Sequence, residues 1–300
     1  MINDFLMEND IRFLEQESLK KHTTFKVGGK AATMALPDTV EKLSKLLNYL
    51  NSKGISYYIL GNGSNLIFSD EGFDGVVIKM SELKEKKQLG EETIYARAGC
   101  SLSSVCLWAA ELSLEGFERL YGIPGSVGGA VFMNAGAFNG EISDWLVSVD
   151  CLDADGNLHT LSKSECMFGY RDSVFMHEGL VVVGATFTLK KRDKQEIIDF
   201  MNDLLQRRKD RQPLDMPSAG SSFKRPEGYY AAALIDQCGL KGLSVGGRQV
   251  STKHAGFIVN TGNATCRDIV MLADRVSRIV REKTGVKLEK EMIIVRQDQK

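Results

Sequence analysis

The sequence predicts an α+β protein of two domains, and three observations lead to this prediction. The chain has 300 residues, 43% of them hydrophobic, so it exceeds one average domain and can bury a sizeable core. Short apolar runs typical of strands alternate with amphipathic segments typical of helices, and no internal repeat is present. The composition also changes between residues 190 and 213, which places a domain boundary there.

The first part of the chain carries one well-signalled helix among short strands. Residues 38–53 form this helix, because Asp38 can cap its first turn, apolar residues recur at helical spacing and Gly54 can end it. The other elements predicted in this part are strands at residues 55–60, 66–68 and 75–80, a solvated turn at 81–92, a strand at 93–98 and a helix at 101–114.

The second part begins with a β-hairpin of residues 145–152 and 157–162, closed by a turn in which Gly156 takes a positive φ. Residues 190–212 predict a charged amphipathic helix that connects the domains and turns a solvated face outward. The remaining predicted elements are strands at 180–189, 256–260 and 292–295, helices at 229–238 and 265–283, and a glycine-rich turn region at 239–247.

Charge and cysteine usage exclude several classes of function. The 38 basic and 39 acidic residues leave a net charge of −1, so no nucleic-acid-binding or membrane-binding surface is expected. No apolar run approaches the ~18 residues of a membrane span, and the first residues lack the features of a signal peptide. The six cysteines form no CxxC pair and no cluster with histidine. We therefore expect a cytoplasmic protein with no metal site.

Glycine is unevenly distributed, since 13 of the 29 glycines fall within residues 61–140. One cluster lies between two predicted strands. Its glycines permit positive φ and let backbone N–H groups approach an anion, while the serine and asparagine side chains add donors. An ordinary tight turn is the alternative, and neither a Walker A loop nor a Rossmann fingerprint is present. The candidate residues are Gly61, Asn62, Gly63, Ser64 and Asn65.

The second cluster is denser, with six glycines in residues 122–140. A backbone laid flat against a planar ring or a pyrophosphate is a good physical reason for so many glycines, and a close-packed irregular segment is the alternative. Residues 23–29 (TTFKVGG) form a third, weaker candidate of the same kind. The candidate residues of the second cluster are Gly122, Ile123, Pro124, Gly125, Ser126, Gly128 and Gly129.

Three residues outside these clusters are candidates with plain structural alternatives. Arg171, in GYRDS, has the fork geometry that clamps a carboxylate, but it could instead pair with Asp172 at the surface. Ser221 could cap a turn, and because no GxSxG surrounds it a hydrolase nucleophile is disfavoured. Glu291 opens the last predicted strand, where a carboxylate is ordinarily a rim residue.

A combination of six segments resembles one known family. The chain is similar from about residue 20 to its C-terminus to the UDP-N-acetylenolpyruvoylglucosamine reductases, flavoenzymes of peptidoglycan precursor synthesis and hence of cell wall biogenesis, cell shape and cell division. The segments occur in the order TTFKVGG (23–29), GNGSNLIFSDEGFDGVVI (61–78), YGIPGSVGGAVFMNAGAFNGEI (121–142), GYRDSVF (169–175), PSAGSSFKRPEGYYAAALIDQCGLKG (217–242) and LEKEMIIV (288–295).

The resemblance implies an FAD-binding module of the vanillyl-alcohol-oxidase (PCMH) type, followed by a smaller α/β substrate-binding domain. In this chain the module covers residues 1–192, with two subdomains that divide near 81–92, and the second domain covers residues 193–300. The last strand, about 291–296, returns to the module in this scheme. The family also has a longer variant with a tyrosine-bearing loop after GYRxS. Because GYRDSVFMHEG leads directly into a strand, the chain resembles the shorter variant.

The resemblance also implies a reaction: NADPH reduces FAD, and hydride then reaches the enolpyruvyl C=C of the UDP-sugar, which gives UDP-N-acetylmuramate. It assigns Arg171 to the substrate carboxylate, Ser221 to proton donation and Glu291, kept neutral by a dry site, to the same centre. The two glycine clusters then contact FAD. The resemblance further suggests four residues for substrate binding, three of them cations for its diphosphate: Tyr170, Lys224, Arg225 and Lys253.

Two other functions stay open at this point. The first is an FAD-dependent hydroxy-acid or sugar oxidase on the same fold, and the second is a non-enzymatic module that binds a flavin or a nucleotide sugar. For a reductase of this family, the expected partner is a small-molecule UDP-sugar. The sequence leaves the oligomeric state open, a monomer included.

Overall fold

Residues 2–297 are described by the structure, a computed structural model, so the predicted outer domain limits at residues 1 and 300 lie outside the described residues. Helices and strands alternate along the chain without a repeating unit. The α-helices are α1 (Ile2–Glu8), α2 (Val40–Ser52), α3 (Leu102–Glu111), α4 (Val127–Phe132), α5 (Lys194–Arg211), α6 (Ala231–Gln237) and α7 (Cys266–Thr284).

The strands are short and fall into three main sheets. They are β1 (Arg12–Ser18), β2 (Lys30–Leu36), β3 (Tyr57–Leu60), β4 (Leu66–Phe68), β5 (Phe73–Lys79), β6 (Lys86–Gln88), β7 (Thr93–Arg97), β8 (Leu114–Glu115), β9 (Gly136–Ala137), β10 (Gly140–Glu141), β11 (Leu146–Leu152), β12 (Leu158–Ser162), β13 (Val181–Thr188), β14 (Lys190–Lys191), β15 (Ser244–Val245), β16 (Arg248–Val250), β17 (Ile258–Asn260) and β18 (Ile293–Val295).

The first sheet has the strand order β1-β2-β5-β3, in which β1 is antiparallel to β2 while β2, β5 and β3 run parallel. Helix α2 covers it with a face of four leucines that are fully buried. The side chain of Thr39 accepts a hydrogen bond from the N–H of Lys42 and so caps this helix, which corrects the prediction that Asp38 is the cap. Asp38 instead forms an ion pair with Lys42.

The second sheet is antiparallel, with the order β12-β11-β13-β7-β6. Strands β11 and β12 are the predicted hairpin, and Gly156 in its turn has a φ of +82°. The prediction of a solvated turn at residues 81–92 was wrong in part, because β6 lies within it and pairs with β7. Helix α4 packs on this sheet. One core holds buried residues of α2, α3 and α4 together with those of the second sheet.

The third module holds the small antiparallel sheet β15-β16-β17 and the helices α6 and α7, which contact each other. Helix α7 begins with a capping box of Thr265 and Asp268 and ends at Gly285, whose φ is +76°, in agreement with the predicted limits. The core of this module includes Phe25 and Ile67 from the N-terminal part, so the modules share an interface. The last strand, β18, pairs in parallel with β4.

Several elements of the fold had no sequence prediction. The N-terminal elements α1, β1 and β2 were missed, since β1 reads RFLEQES and shows no apolar alternation. Helix α4 lies inside the glycine-dense segment, for which the sequence predicts no helix, and strand β16 had no prediction either. No helix among residues 2–297 has both the length and the apolar character that crossing a bilayer would need.

Candidate active site

A cavity of about 1230 Å³ lies where the two large sheets meet the third module. This exceeds the roughly 300–1,000 Å³ of a pocket for one small ligand, so there is room for a large cofactor together with a substrate. Every candidate residue of the two predicted glycine clusters lines this cavity, and so do Arg171, Ser221 and Glu291. Residues that are separated by up to 230 positions in the chain therefore converge on one cavity.

The first glycine cluster is the loop between β3 and β4. Gly63 has a φ of +62°, and a Cβ atom there would lie 2.2 Å from the carbonyl oxygen of His22, so only glycine fits. The N–H of Thr24 donates to the carbonyl oxygen of Gly63 at 3.0 Å, which ties the third candidate segment to this loop. The backbone N–H groups of residues 62–65 donate to no acceptor within the described part of the chain. They are therefore available to an anion in the cavity.

The second cluster lies directly against the first. A Cβ atom on Gly61 would meet the hydroxyl oxygen of Ser126 at 2.4 Å, so the two loops need glycine to approach each other. Ser126 caps α4 by accepting from the N–H of Gly129. A Cβ atom on Gly128 would lie 2.8 Å from that of Ala98, and this glycine thus lets α4 pack closely on the second sheet. Part of the glycine excess consequently serves packing as well as the cavity wall.

Arg171 lies in a tight turn in which Gly169 and Asp172 exchange backbone hydrogen bonds. Its φ is +54°, a conformation that costs a non-glycine residue of the order of 1–3 kcal/mol and persists only where the surroundings hold it. The side chain is only 16% exposed. The guanidinium Nε donates to Oε1 of Glu291 at 3.1 Å, while Nη2 donates to the carbonyl oxygen of Gly136 at 2.8 Å.

Asn134 and Glu141 surround the other side of this guanidinium. Nη1 of Arg171 donates to the carbonyl oxygen of Asn134 at 3.1 Å and to Oε1 of Glu141 at 3.4 Å. The Asn134 side-chain amide donates to Oε2 of Glu141 at 2.9 Å and to the carbonyl oxygen of Gly169 at 2.8 Å. Asn134 is buried, and through these hydrogen bonds it holds both the turn and the orientation of the Arg171 guanidinium. Sequence reasoning missed this residue, although it lies in the quoted segment 121–142.

Glu291 is largely buried, with 14% of its side chain exposed. Burial raises its pKa above the ordinary value of 4.5, and the opposing attraction of Arg171 and Lys224 is smaller. With Glu141 already beside Arg171, a neutral Glu291 leaves this centre with balanced charge. The side chain of Asn65 donates to the backbone oxygen of Glu291 at 3.2 Å, which joins the first glycine loop to this residue.

Ser221 reaches the same centre through its neighbour. The N–H of Glu291 donates to the carbonyl oxygen of Ser222 at 3.0 Å, so the two segments lie side by side. The hydroxyl of Ser222 is buried and accepts from the N–H of Ile258, whereas the Ser221 hydroxyl makes no hydrogen bond among residues 2–297 and lines the cavity. Of these two serines, Ser221 is thus the one available to a ligand.

The four predicted substrate-binding residues lie outside the lining of this cavity. Lys224 pairs with Glu289 at 2.7 Å, and the ammonium of Lys253 donates to the carbonyl oxygen of Lys209 at 2.6 Å. The guanidinium of Arg225 lies over the ring of Tyr230, and its backbone N–H donates to the hydroxyl of Tyr170 at 3.2 Å. The structure therefore brings Tyr170 and Arg225 together but gives each of these cations a protein partner.

One buried cation in the cavity wall was not predicted. Arg208 is 6% exposed and lines the cavity, although helix α5 was interpreted as having a solvated charged face. The buried residues of α5 are Ile197, Met201, Leu204 and Arg208. This spacing of four, three and four residues continues the apolar stripe into Arg208, and it is the signal that would have identified the residue.

Comparison with known proteins agrees with the geometry. A family model described as an FAD binding domain matches residues 31–162, and one described as the C-terminal domain of UDP-N-acetylenolpyruvoylglucosamine reductase matches residues 212–295. A UDP-N-acetylenolpyruvoylglucosamine reductase of Caldanaerobacter subterraneus subsp. tengcongensis is 47% identical over 279 residues, which cover 93% of this chain and 92% of the relative. Another, from Syntrophomonas wolfei, is 42% identical and covers 98% of both chains.

Solved structures extend this comparison. The crystal structure of UDP-N-acetylenolpyruvylglucosamine reductase from Thermus caldophilus superposes with a TM-score of 0.81 at 38% identity, over 95% of this chain and 98% of that one. A BBE-like protein of Physcomitrella patens superposes with a TM-score of 0.52 at 17% identity, over 64% of this chain and 44% of that one, a likeness in fold alone. The second match shows a shared fold over part of the chain, whereas the first extends over nearly the full length of both chains.

Proposed function

The chain belongs to the UDP-N-acetylenolpyruvoylglucosamine reductase family, and from this premise we propose how its residues carry out the reaction. The protein is an FAD-containing oxidoreductase that uses NADPH to reduce the enolpyruvyl double bond of the UDP-sugar in peptidoglycan precursor synthesis. One observation carries the assignment of the site: a single cavity is lined by both glycine loops and by Arg171, Ser221 and Glu291. The oxidase alternative has no comparable support.

The loops at residues 61–65 and 122–129 suit FAD. Their backbone N–H groups at residues 62–65 have no acceptor in the described part of the chain, and the close contact of Gly61 with Ser126 leaves a wall of backbone for a flat or elongated group. These loops would hold FAD, which would supply the hydride-transfer chemistry between NADPH and the substrate. The chain's own contribution is to hold this cofactor, orient the substrate against it and manage charge and protons.

We infer that Arg171 acts as a fixed positive charge toward the substrate carboxylate. Its Nε and Nη1 groups are engaged by Glu291, Asn134 and Glu141, and one N–H of Nη2 is engaged by Gly136. The bidentate clamp expected from the sequence would require the guanidinium to give up some of these partners. A preorganised cation of this kind stabilises the negative charge that develops on the carboxylate as hydride arrives, and it needs no rearrangement.

Glu291 and Ser221 complete the centre in this proposal. A neutral Glu291, favoured by its burial, can donate a hydrogen bond to the developing enolate, whereas a carboxylate would oppose that charge. The free hydroxyl of Ser221 is then placed to give its proton to the α-carbon, which is basic enough at that stage to take it. Tyr170, Lys224, Arg225 and Lys253 remain predicted contacts for the nucleotide end of the substrate.

We propose that the two domains divide at the end of α5, near residue 212. The inner face of α5 contributes Ile197 and Met201 to the core of the FAD-binding module, which supports a limit somewhat later than residue 193. A cytoplasmic location is also proposed: all six cysteines are free and buried, as expected in a reducing compartment. The small-molecule partner is the UDP-sugar.

A series of absorption spectra, recorded after each addition, tests the function. The purified protein should be yellow, NADPH should bleach it, and the enolpyruvyl UDP-sugar should then restore the oxidised spectrum in the absence of oxygen. A colourless protein would favour a binding module. Rapid bleaching by a hydroxy acid, with none by NADPH, would favour the oxidase.

A further inference from the structure

Arg208 occupies an unusual position for a cation. It is on the inward face of α5, 6% exposed, and it lines the cavity. An ideal Cβ atom on Gly122 would lie 3.3 Å from Nε of Arg208 and 3.2 Å from a methyl group of Leu205. Gly122 thus leaves room for α5 to bring this arginine against the second glycine loop.

Within residues 2–297, no carboxylate neutralises this charge. Nε and Nη2 of Arg208 are buried and have no hydrogen-bond partner, and no carboxylate pairs with the residue in the part of the chain that the structure describes. The one compensating contact found there is the ring of Phe138, whose centroid lies 5.2 Å from the guanidinium carbon. A cation–π contact offsets only part of the cost of burying a cation without a counter-charge. Burial also lowers the pKa of Arg208, in keeping with a cation that has no partner.

We propose that Arg208 is the counter-cation for a diphosphate bound in this cavity, and that the diphosphate is that of FAD. Arginine is the side chain best suited to this task, because its planar donors match phosphate oxygens. The inference rests on the assignment of FAD to this cavity, and it adds a residue from outside the glycine loops to the cofactor site.

The position of Arg208 favours FAD over the other diphosphates that enter the cavity. Its neighbour Gly122 opens the second glycine loop, and this loop touches the first one, whose N–H groups at residues 62–65 are free to bind an anion. The N–H groups and the guanidinium would then neutralise the diphosphate together. NADPH and the UDP-sugar also carry diphosphates, so the experiment must separate the three ligands.

The test compares holoenzymes carrying Arg208→Gln, Arg208→Lys and, as a matched control on the same helix, Arg207→Gln. The side chain of Arg207 is 58% exposed and pairs with Asp203, so its loss removes one positive charge without touching the cavity. FAD release on dilution is followed by the fluorescence of freed flavin, and Michaelis constants for NADPH and the UDP-sugar are measured with excess FAD. Far-UV circular dichroism checks that each variant is folded.

We expect Arg208→Gln to weaken FAD binding by about 30-fold or more, as for loss of one partner of a buried charge pair. Arg208→Lys should lose less FAD affinity because it keeps the charge, and Arg207→Gln should match wild type.

If the Lys variant of Arg208 lost as much FAD affinity as the Gln variant, or if neither lost any, the role as counter-cation would be wrong. If FAD release were unchanged but a Michaelis constant rose, the diphosphate would belong to that ligand instead. A wild-type protein without flavin would count against the proposed function itself. Should the Gln variant fail to fold, the Lys variant decides the question by the same release measurement.

Discussion

The side-chain amide of Asn134 donates a 2.8 Å hydrogen bond to the carbonyl oxygen of Gly169, the residue that begins the turn of Arg171. The same amide donates to Glu141, and the backbone oxygen of Asn134 accepts from the Arg171 guanidinium. One buried side chain therefore holds both the strained backbone of the arginine and the orientation of its charge.

Asn134→Ala should slow the oxidation of reduced flavin by the UDP-sugar about 10- to 100-fold, because a displacement of about 1 Å in a catalytic group is enough for such a loss. Its buried partners lose their hydrogen bonds, which should lower the free energy of unfolding by about 1–3 kcal/mol. Stopped-flow absorbance measures the flavin step, and reduction by NADPH should be unchanged.

The matched control for this variant is Asn263→Ala. Asn263 is exposed and has a φ of +51°, close to the +42° of Asn134, so it reports the backbone cost alone. Equal flavin oxidation rates in Asn134→Ala and wild type would show that Asn134 does not position Arg171.

Ser221→Ala should retain FAD and still be reduced by NADPH, but lose roughly 10²–10⁴-fold in oxidation by the UDP-sugar, the usual range for one positioned proton donor. Ser222→Ala is the neighbouring control, since the Ser222 hydroxyl only accepts a hydrogen bond from the N–H of Ile258. That variant should lose stability and keep its rate. A Ser221→Ala enzyme reoxidised as fast as wild type would remove Ser221 from the proton-donor role.

Glu291→Gln tests the protonation state of the buried carboxyl. Because burial raises the pKa of Glu291, the folded protein binds this proton more tightly than the unfolded chain does. The contribution of Glu291 to stability is therefore full below pH 4.5, the ordinary pKa, and is lost as the pH rises through the higher pKa of the folded state. The melting temperature of Glu291→Gln, relative to wild type, should rise over the same interval.

The rate offers a second readout of Glu291. If the neutral acid is the working form, the rate of flavin oxidation in wild type should fall as the pH passes the raised pKa, and Glu291→Gln should lack this fall. A stability difference that stayed constant from acidic to alkaline pH would contradict the raised pKa.

Gly63→Ala should prevent FAD retention and destabilise the fold by roughly 3 kcal/mol or more, because a backbone overlap cannot be relieved by a rotamer change. Gly239→Ala is a close control: Gly239 has a φ of +73°, a Cβ atom added there would have nothing within 4 Å, and the residue does not line the cavity. It should cost only the left-handed backbone conformation, about 1–2 kcal/mol. Urea denaturation and the ratio of flavin to protein absorbance measure the two effects. Similar behaviour of the two variants would show that contact with His22 does not constrain the loop.

Local sequence patterns were sufficient where an element carries its own signals. Helix α7 has a capping box, an amphipathic face and a terminal glycine, and the hairpin of β11 and β12 has its turn residues, so both were predicted close to their true limits. Helix α4 has an N-cap, Ser126, but neither a capping box nor a terminal glycine. Its sequence VGGAVF has low helix propensity, and close packing of Gly128 on Ala98 keeps it helical.

The amino-acid sequence by itself determined which backbone segments are shaped by glycine, which helices carry caps and apolar faces, and which family the chain resembles. Only the tertiary structure decided how Arg171 meets Glu291 across 120 positions of the chain, and that most of the arginine's donors are already engaged. It also decided that Arg208, one cation among many on a charged helix, is the buried one for which the described residues offer no counter-charge. Helical and strand periodicities express contacts between near neighbours, whereas the charge balance of a site depends on groups that folding brings together from distant segments.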